Sequence, residues 1–289
     1  MLTTLYVGLR FAHFAALMSV LGCTLYGGWW APQPLRRLFS LRFSHEIHLS
    51  LLISAASAML MLMVQGGLMG DGWRDVWQPE IWLAVSATRF GSVWLWQIVL
   101  AGVALVVGWV RPRQMMRLLL LLTASQFILL AGTGHSAMRE GAVGALQRSN
   151  HALHLLFAAT WVGGLLPFLY CLRLAKGRWR QAAIYTMMRF SRYGHIAVAG
   201  VVVTGIVNAL LIQKGWPLDT AYSRMLLVKC GLVAVMVFIA LVNRYVVVPR
   251  MTRAKPNIQR VFLCTTQLEL ILGALVLAAV SLFATWEPF

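Results

Sequence analysis

The sequence predicts an all-α integral membrane protein of eight transmembrane helices, arranged as two parallel sets of four. Three observations predict it. Hydrophobic residues make up 60% of the 289-residue chain and charged residues only 11%, with a mean hydropathy of +0.75. Soluble domains carry about 25% charged residues, so this chain lacks the polar surface to cover itself in water. Apolar runs of spanning length recur along the whole chain, separated by short basic or mixed loops. Short motifs also recur in the same order about half a chain apart.

The runs lie near Leu5–Ala31, Ile47–Met69, Gly91–Val110, Leu118–Ser136, His151–Leu172, Gly194–Ile212, Leu226–Val248 and Val261–Thr285. Each is about 19 to 27 residues, against the roughly 20 a helix needs to cross hydrocarbon. The first has no basic segment before it and no small-residue cleavage site after it, so it reads as a retained helix. The loops after the first, third, fifth and seventh runs hold Arg36, Arg37, Arg42, Arg111, Arg113, Arg117, Arg173, Lys176, Arg178, Arg180, Arg189 and Arg192, then Arg244, Arg250, Arg253, Lys255 and Arg260. Six of the eight acids, among them Asp71, Asp75 and Glu287, fall on the other side. Basic loops stay cytoplasmic, so both termini are expected in the periplasm.

This distribution also excludes functions. A net charge of +17 would suit a nucleic-acid binder, but the charge sits in short loops and no soluble basic domain remains. No phosphate-cradling GxxxxGK[ST] loop is present, so ATP is not expected as a partner. The four cysteines form no CxxC pair and read as small buried residues. The lipid bilayer is the partner that composition demands.

The repeat carries the candidate site. His13 precedes Gly22 by nine residues, and His154 precedes Gly163 by nine. Arg42-Phe43-Ser44 opens the second run and Arg189-Phe190-Ser191 the sixth, each Arg followed six residues on by His48 or His195. Thr123-Ala124-Ser125-Gln126 in the fourth run is matched by Thr265-Thr266-Gln267 in the eighth. Pseudo-repeats of about 1–145 and 146–289 follow, forming a single membrane domain. With an even number of spans each, the halves run parallel, related by an axis along the membrane normal. His13 and His154 then share an outer level, and His48 and His195 an inner level on the order of 20 Å away.

Ionisable groups inside a bilayer are costly and usually face the bundle interior. Imidazole is the commonest protein metal ligand and titrates near neutral pH. At the outer level His135, His151 and Met138 join His13 and His154, with His151 and His154 three apart on one helical face. Histidine and thioether donors without a carboxylate cluster suit copper. The run Met59, Met61 and Met63 reads as core packing. The same two histidine levels also describe a two-haem b-type cytochrome, with His13/His154 and His48/His195 as axial pairs. Copper and haem b therefore both stand as candidate cofactors at this point. Asn243 and Arg244 are expected to reach Glu269.

The stretch from His151 and His154 through Trp161 to Gly163-Gly164 resembles the copper resistance protein D (CopD) family. So do Asn243-Arg244 with Pro249-Arg250, Leu268-Glu269 with Gly273, and the terminal Glu287-Pro288. Leu9-Arg10-Phe11-Ala12-His13 is similar to that family's opening helix. The resemblance implies a bacterial inner-membrane protein of copper homeostasis, importing or transferring copper with a separate periplasmic CopC-type copper-binding partner.

Overall fold

Lipid offers no partners to backbone N–H and C=O groups, so a spanning chain must bond them within helices. The computed structural model describes residues 1–134, 141–212, 220–251, 256–283 and 286, and all regular structure among them is helical. In order these are α1 (Leu2–Leu25), α2 (Gln33–Arg42), α3 (Ser44–Met69), α4 (Pro79–Ser86), α5 (Arg89–Val110) and α6 (Met115–Leu130). Then follow α7 (Gly141–Leu174), α8 (Arg180–Ile212), α9 (Ala221–Val242), α10 (Val248–Met251) and α11 (Pro256–Phe283).

Local chemistry sets several of these ends. Proline fits the first turn of α2 and of α4, where its missing N–H has no carbonyl to bond. The Thr88 and Thr220 hydroxyls cap α5 and α9, accepting from Gly91 N at 3.1 Å and Ser223 N at 3.2 Å. At the far end of α5, Arg111 takes the left-handed conformation (φ 51°, ψ 54°) just before Pro112. That conformation costs a non-glycine residue roughly 1–2 kcal/mol.

Seven helical segments among the described residues are long and apolar enough to cross a membrane. They are Leu2–Trp30, Ser44–Met69, Arg89–Val110, Gly141–Leu174, Arg180–Leu211, Ala221–Arg250 and Asn257–Phe283. The sequence predicts eight. The difference is the fourth expected span, Leu118–Ser136, where α6 is a 16-residue helix ending at Leu130. Thr133 N bonds back to Leu130 O at 3.2 Å, and Gly134 has φ +69°, so the chain turns there. At 1.5 Å per residue α6 is about 24 Å long, short of a hydrocarbon core of about 30 Å. Two short helices were not predicted. The basic loop after the first span folds as α2, which buries Leu35 and Phe39, and α4 follows α3.

The bundle is organised around α1 and α7. These two pack on each other, α3, α5 and α6 gather around α1, and α8 and α11 around α7. α9 leans chiefly on α11. Glycine makes the central crossing possible. A Cβ at Gly22 would lie 1.9 Å from Gly163 O, and one at Gly163 would lie 2.1 Å from Met18 O. The backbones therefore touch without side chains between them, as small residues permit in membranes.

Past this crossing α1 widens into a π-turn over Tyr26–Trp30, closed by Ala31 N to Tyr26 O at 2.9 Å. A π-turn leaves a carbonyl unpaired. Arg189 on α8 donates to Trp29 O at 3.1 Å, and Trp30 stacks on Tyr193 at 5.8 Å. All three Gly-Gly pairs, a pattern that in sequence suggests close helix approach or bends, lie at close approaches: Gly27 and Gly28 meet Met116 of α6, Gly66 and Gly67 meet Ile81 and Val76, and Gly163 and Gly164 meet Met18 O and the Phe190 ring. The four cysteines are free, Cys23 and Cys171 buried, Cys230 and Cys264 exposed.

Candidate outer histidine site

His13 is fully enclosed on α1. Its Nδ1–H donates to the Ser54 carbonyl at 3.1 Å and the Ser57 hydroxyl at 3.0 Å, both on α3. Ser57 passes its own proton to backbone carbonyls of α3. Acceptors on the Nδ1 side fix the tautomer, so Nε2 carries the lone pair. The Gln97 amide of α5 donates to that lone pair at 3.0 Å and also reaches Gln126 Oε1 of α6 at 3.4 Å. Trp94 lies alongside, its ring 5.8 Å from the imidazole and its indole N–H on Ala58 O at 2.7 Å.

His154 on α7 repeats this arrangement against α8. Its Nδ1–H donates to the Thr204 hydroxyl at 2.9 Å, Thr204 donates onward to Gly200 O, and the Val201 carbonyl is a further partner of the ring. Ser54 and Ser57 stand ten and thirteen residues after Ser44; Val201 and Thr204 stand ten and thirteen after Ser191. A hydroxyl thus holds each Nδ1 from matching places. The halves differ at Nε2. In the first, α5 packs on α3 and brings Gln97; in the second, α9 stays with α11, and no described residue bonds His154 Nε2.

Of the other expected donors, His151 sits within a regular helix. Its ring lies parallel to that of His154, with centroids 6.4 Å apart. The Asn208 amide approaches His151 Nδ1 at 3.4 Å, and Asn150 bonds Asn208 Oδ1 at 2.9 Å. His135 and Met138 lie outside the described residues. Among the described residues no three His, Cys, Asp or Glu side chains form a metal-holding group.

The inner level departs from expectation. His48 directs Nδ1 at the Ser44 carbonyl and Nε2 at the Gly108 carbonyl, 2.9 Å away, so both nitrogens face acceptors. His195 Nδ1 faces the Ser191 carbonyl and accepts from Arg244 Nη1 at 3.1 Å. Arg111 donates to the Ser44 hydroxyl at 3.1 Å, and Arg244 to that of Ser191. These are serine–histidine–arginine clusters at the helix ends.

The haem reading finds no support in this geometry. Among the described residues no contact joins either expected axial pair: His13 is engaged by α3 and α5, His154 by α8, His48 by α5 and His195 by Arg244. The expected Glu269 network is half right. Asn243 donates to Glu269 Oε2 at 3.2 Å and accepts from Thr265 at 2.6 Å, but Arg244 goes to Ser191 and His195. The Trp161 indole takes its place on Glu269.

Sequence reasoning missed Gln97, Thr204 and Arg10. Arg10 lies one turn before His13, over the Phe14 ring at 5.6 Å, with its Nε buried and unpaired. A charge inside a spanning run is itself a signal of function. Gln97 and Thr204 are ordinary helix-packing residues until the fold places them against the rings. Gln97→Leu is expected to lower stability by about 1–2 kcal/mol, because it strands the His13 lone pair and Gln126 Oε1 in the core. The melting midpoint in detergent reads this; a midpoint unchanged from wild type would contradict the network.

The fold and site define a polytopic helical membrane protein with paired, internally braced histidines. Residues 1–145 match the model of the copper resistance protein D-like N-terminal domain, and residues 184–283 that of copper resistance protein D. The chain belongs to the copper resistance protein D family. It is 52% identical over all of both chains to the inner membrane protein YebZ of Escherichia coli. It is 30% identical to copper resistance protein D of Pseudomonas syringae pv. tomato, over 98% of this chain and 97% of that one. The copper transport protein CutJ of Bacillus subtilis is 30% identical over 60% of this chain and 34% of its own. No solved structure matches it significantly. With its seven apolar helices, the chain is a multi-pass inner-membrane protein.

Proposed function

We propose that this protein carries copper across the inner membrane, with His13 and His154 as its outer ligands and His151 beside them. One observation carries the reading: each histidine is braced at Nδ1 by a hydroxyl of the neighbouring helix, and His13 by a carbonyl as well, which points Nε2 away as the ligating nitrogen. Metal-binding histidines are held in this way, the far N–H bonded to a carbonyl or similar acceptor that fixes ring and tautomer. Imidazole nitrogen suits copper. At His13 the metal replaces the Gln97 amide; at His154 no described residue hydrogen-bonds Nε2, and the Lys229 charge of α9 acts on the ring. Relatives named for copper resistance and copper transport support copper as the cargo. His48, which keeps both nitrogens on backbone carbonyls, and His195, whose Nδ1 lies against Ser191 and Arg244, are not ligands in this proposal.

The finer architecture belongs to the same proposal. The matched bracing of His13 and His154 supports two parallel pseudo-equivalent halves, about 1–145 and 146–289. α6 then makes the eighth crossing, both termini face the periplasm, and a separate periplasmic CopC-type protein delivers the copper. The test is uptake by proteoliposomes containing an impermeant copper-chelating dye. Uptake above that of protein-free liposomes is expected; a rate equal to theirs overturns the proposal.

A further inference from the structure

At the basic end of the bundle, a cavity of about 480 Å³ opens between α2, the α5–α6 connection and the start of α6. Arg36, Arg37, Arg111, Arg113 and Arg117 line it together with Ser44, and no acidic residue does. The positive-inside bias explains arginines at this end but not their convergence on one concavity. Like charges gathered without a counter-charge repel, so an arrangement of this kind calls for an anion.

The backbone is shaped for it. Arg111 is the one described non-glycine residue with positive φ, and strain of that kind is kept where the surroundings need it. In that conformation Arg111 reaches Ser44 Oγ at 3.1 Å, turning the chain so that Arg113 and Arg117 border the cavity. Arg36 spends only its Nε, on Ala31 O at 3.0 Å. Gly27 and Gly28 form part of the wall, packed closely on Met116.

We propose that this cavity is a binding site for a phosphate-bearing anion, held by Arg37, Arg113 and Arg117. Guanidinium forks match phosphate oxygens in pairs, and the volume falls in the range of small-ligand sites, roughly 300–1,000 Å³. The phosphate has two possible sources, the head group of an anionic phospholipid and a soluble phosphate compound.

The full chain in phosphatidylcholine nanodiscs tests this by its melting midpoint, with phosphatidylglycerol added to the disc in one arm and inorganic pyrophosphate to the buffer in the other. A rise of about 5 °C is expected at a hundredfold excess over Kd. A rise in the lipid arm alone identifies a head-group site, and one with pyrophosphate identifies a soluble ligand. Arg113→Gln/Arg117→Gln should lose the rise; both residues are exposed, so the core is untouched. Arg173→Gln/Arg180→Gln removes the same charge outside the cavity and should keep it. No rise in either arm, a rise retained by the cavity variant, or a rise lost equally in both variants overturns the site.

Discussion

Proteoliposomes carrying His13→Ala/His154→Ala are expected to take up copper at less than about a tenth of the wild-type rate. Losing an outer-shell partner alone typically costs 10–100-fold in metal affinity, and removing the ligand itself costs at least that. The bracing residues supply the finer version. Ser57→Ala/Thr204→Val keeps both imidazoles but strips the hydroxyl from each Nδ1, so uptake at limiting copper should fall while the maximal rate changes less. His45→Ala is the control, since His45 is exposed at the basic end. Each single histidine variant should keep part of the activity, and His154→Ala should do more harm. Its Nε2 is the open one, whereas His13 must first release Gln97. Wild-type uptake by the double variant would remove both histidines from the pathway.

Gly22→Val is expected to be the most damaging single substitution for folding. The added Cβ would fall 1.9 Å from the Gly163 carbonyl oxygen, and backbone cannot swing aside as a side-chain tip can. The only relief is to part α1 from α7, which also pulls Trp30 and Tyr26 off Tyr193 and Phe190. Overpacking in a tight core costs about 1–3 kcal/mol and sometimes more; here the cost should reach about 3 kcal/mol or above. Gly163→Val should match it. Gly8→Ala separates this from any general glycine effect. Nothing lies within 4 Å of its Cβ position, and alanine in a helix gains up to about 1 kcal/mol. Size-exclusion profiles and melting midpoints in detergent read all three. A Gly22→Val protein that melts with wild type would mean that α1 and α7 do not meet there.

The helices and the outer histidines were legible because both depend on spacing along one chain. Spanning length, loop charge and the nine-residue His-to-Gly interval are all visible in sequence. The glycines gave more than they promised: motifs matched only as repeats, Gly22 and Gly163, turn out to touch each other. What stayed hidden depends on which helix faces which. Gln97 meets His13 across 84 residues, and no local pattern separates that glutamine from another interhelical hydrogen-bonding residue. The partners of the inner histidines stayed hidden for the same reason, since backbone carbonyls at Gly108 and Ser44 engage His48 and carry no sequence signature. The repeat alignment of the last run also needed the fold. Thr123 and Gln126 are buried three residues apart on α6, as Thr266 and Glu269 are on α11, so the acid rather than Gln267 matches the glutamine.

The shortness of α6 has a mechanical consequence for the membrane around it. Its outer face shows Leu118, Leu121 and Ile128, so acyl chains lie directly against a helix of about 24 Å, while α5 next to it runs to 22 residues, about 33 Å. If α6 crosses as proposed, hydrocarbon beside it is pinched, and the hydrophobic mismatch costs fractions of a kcal/mol per Å. Reconstitution across a series of acyl-chain lengths would register this as greater stability in the thinner bilayers; indifference to chain length would show that the flank is not matched to lipid at all. On the proposed eight-span reading the bilayer is thinnest over one side of the His13 half, which would shorten the path of the proposed copper cargo.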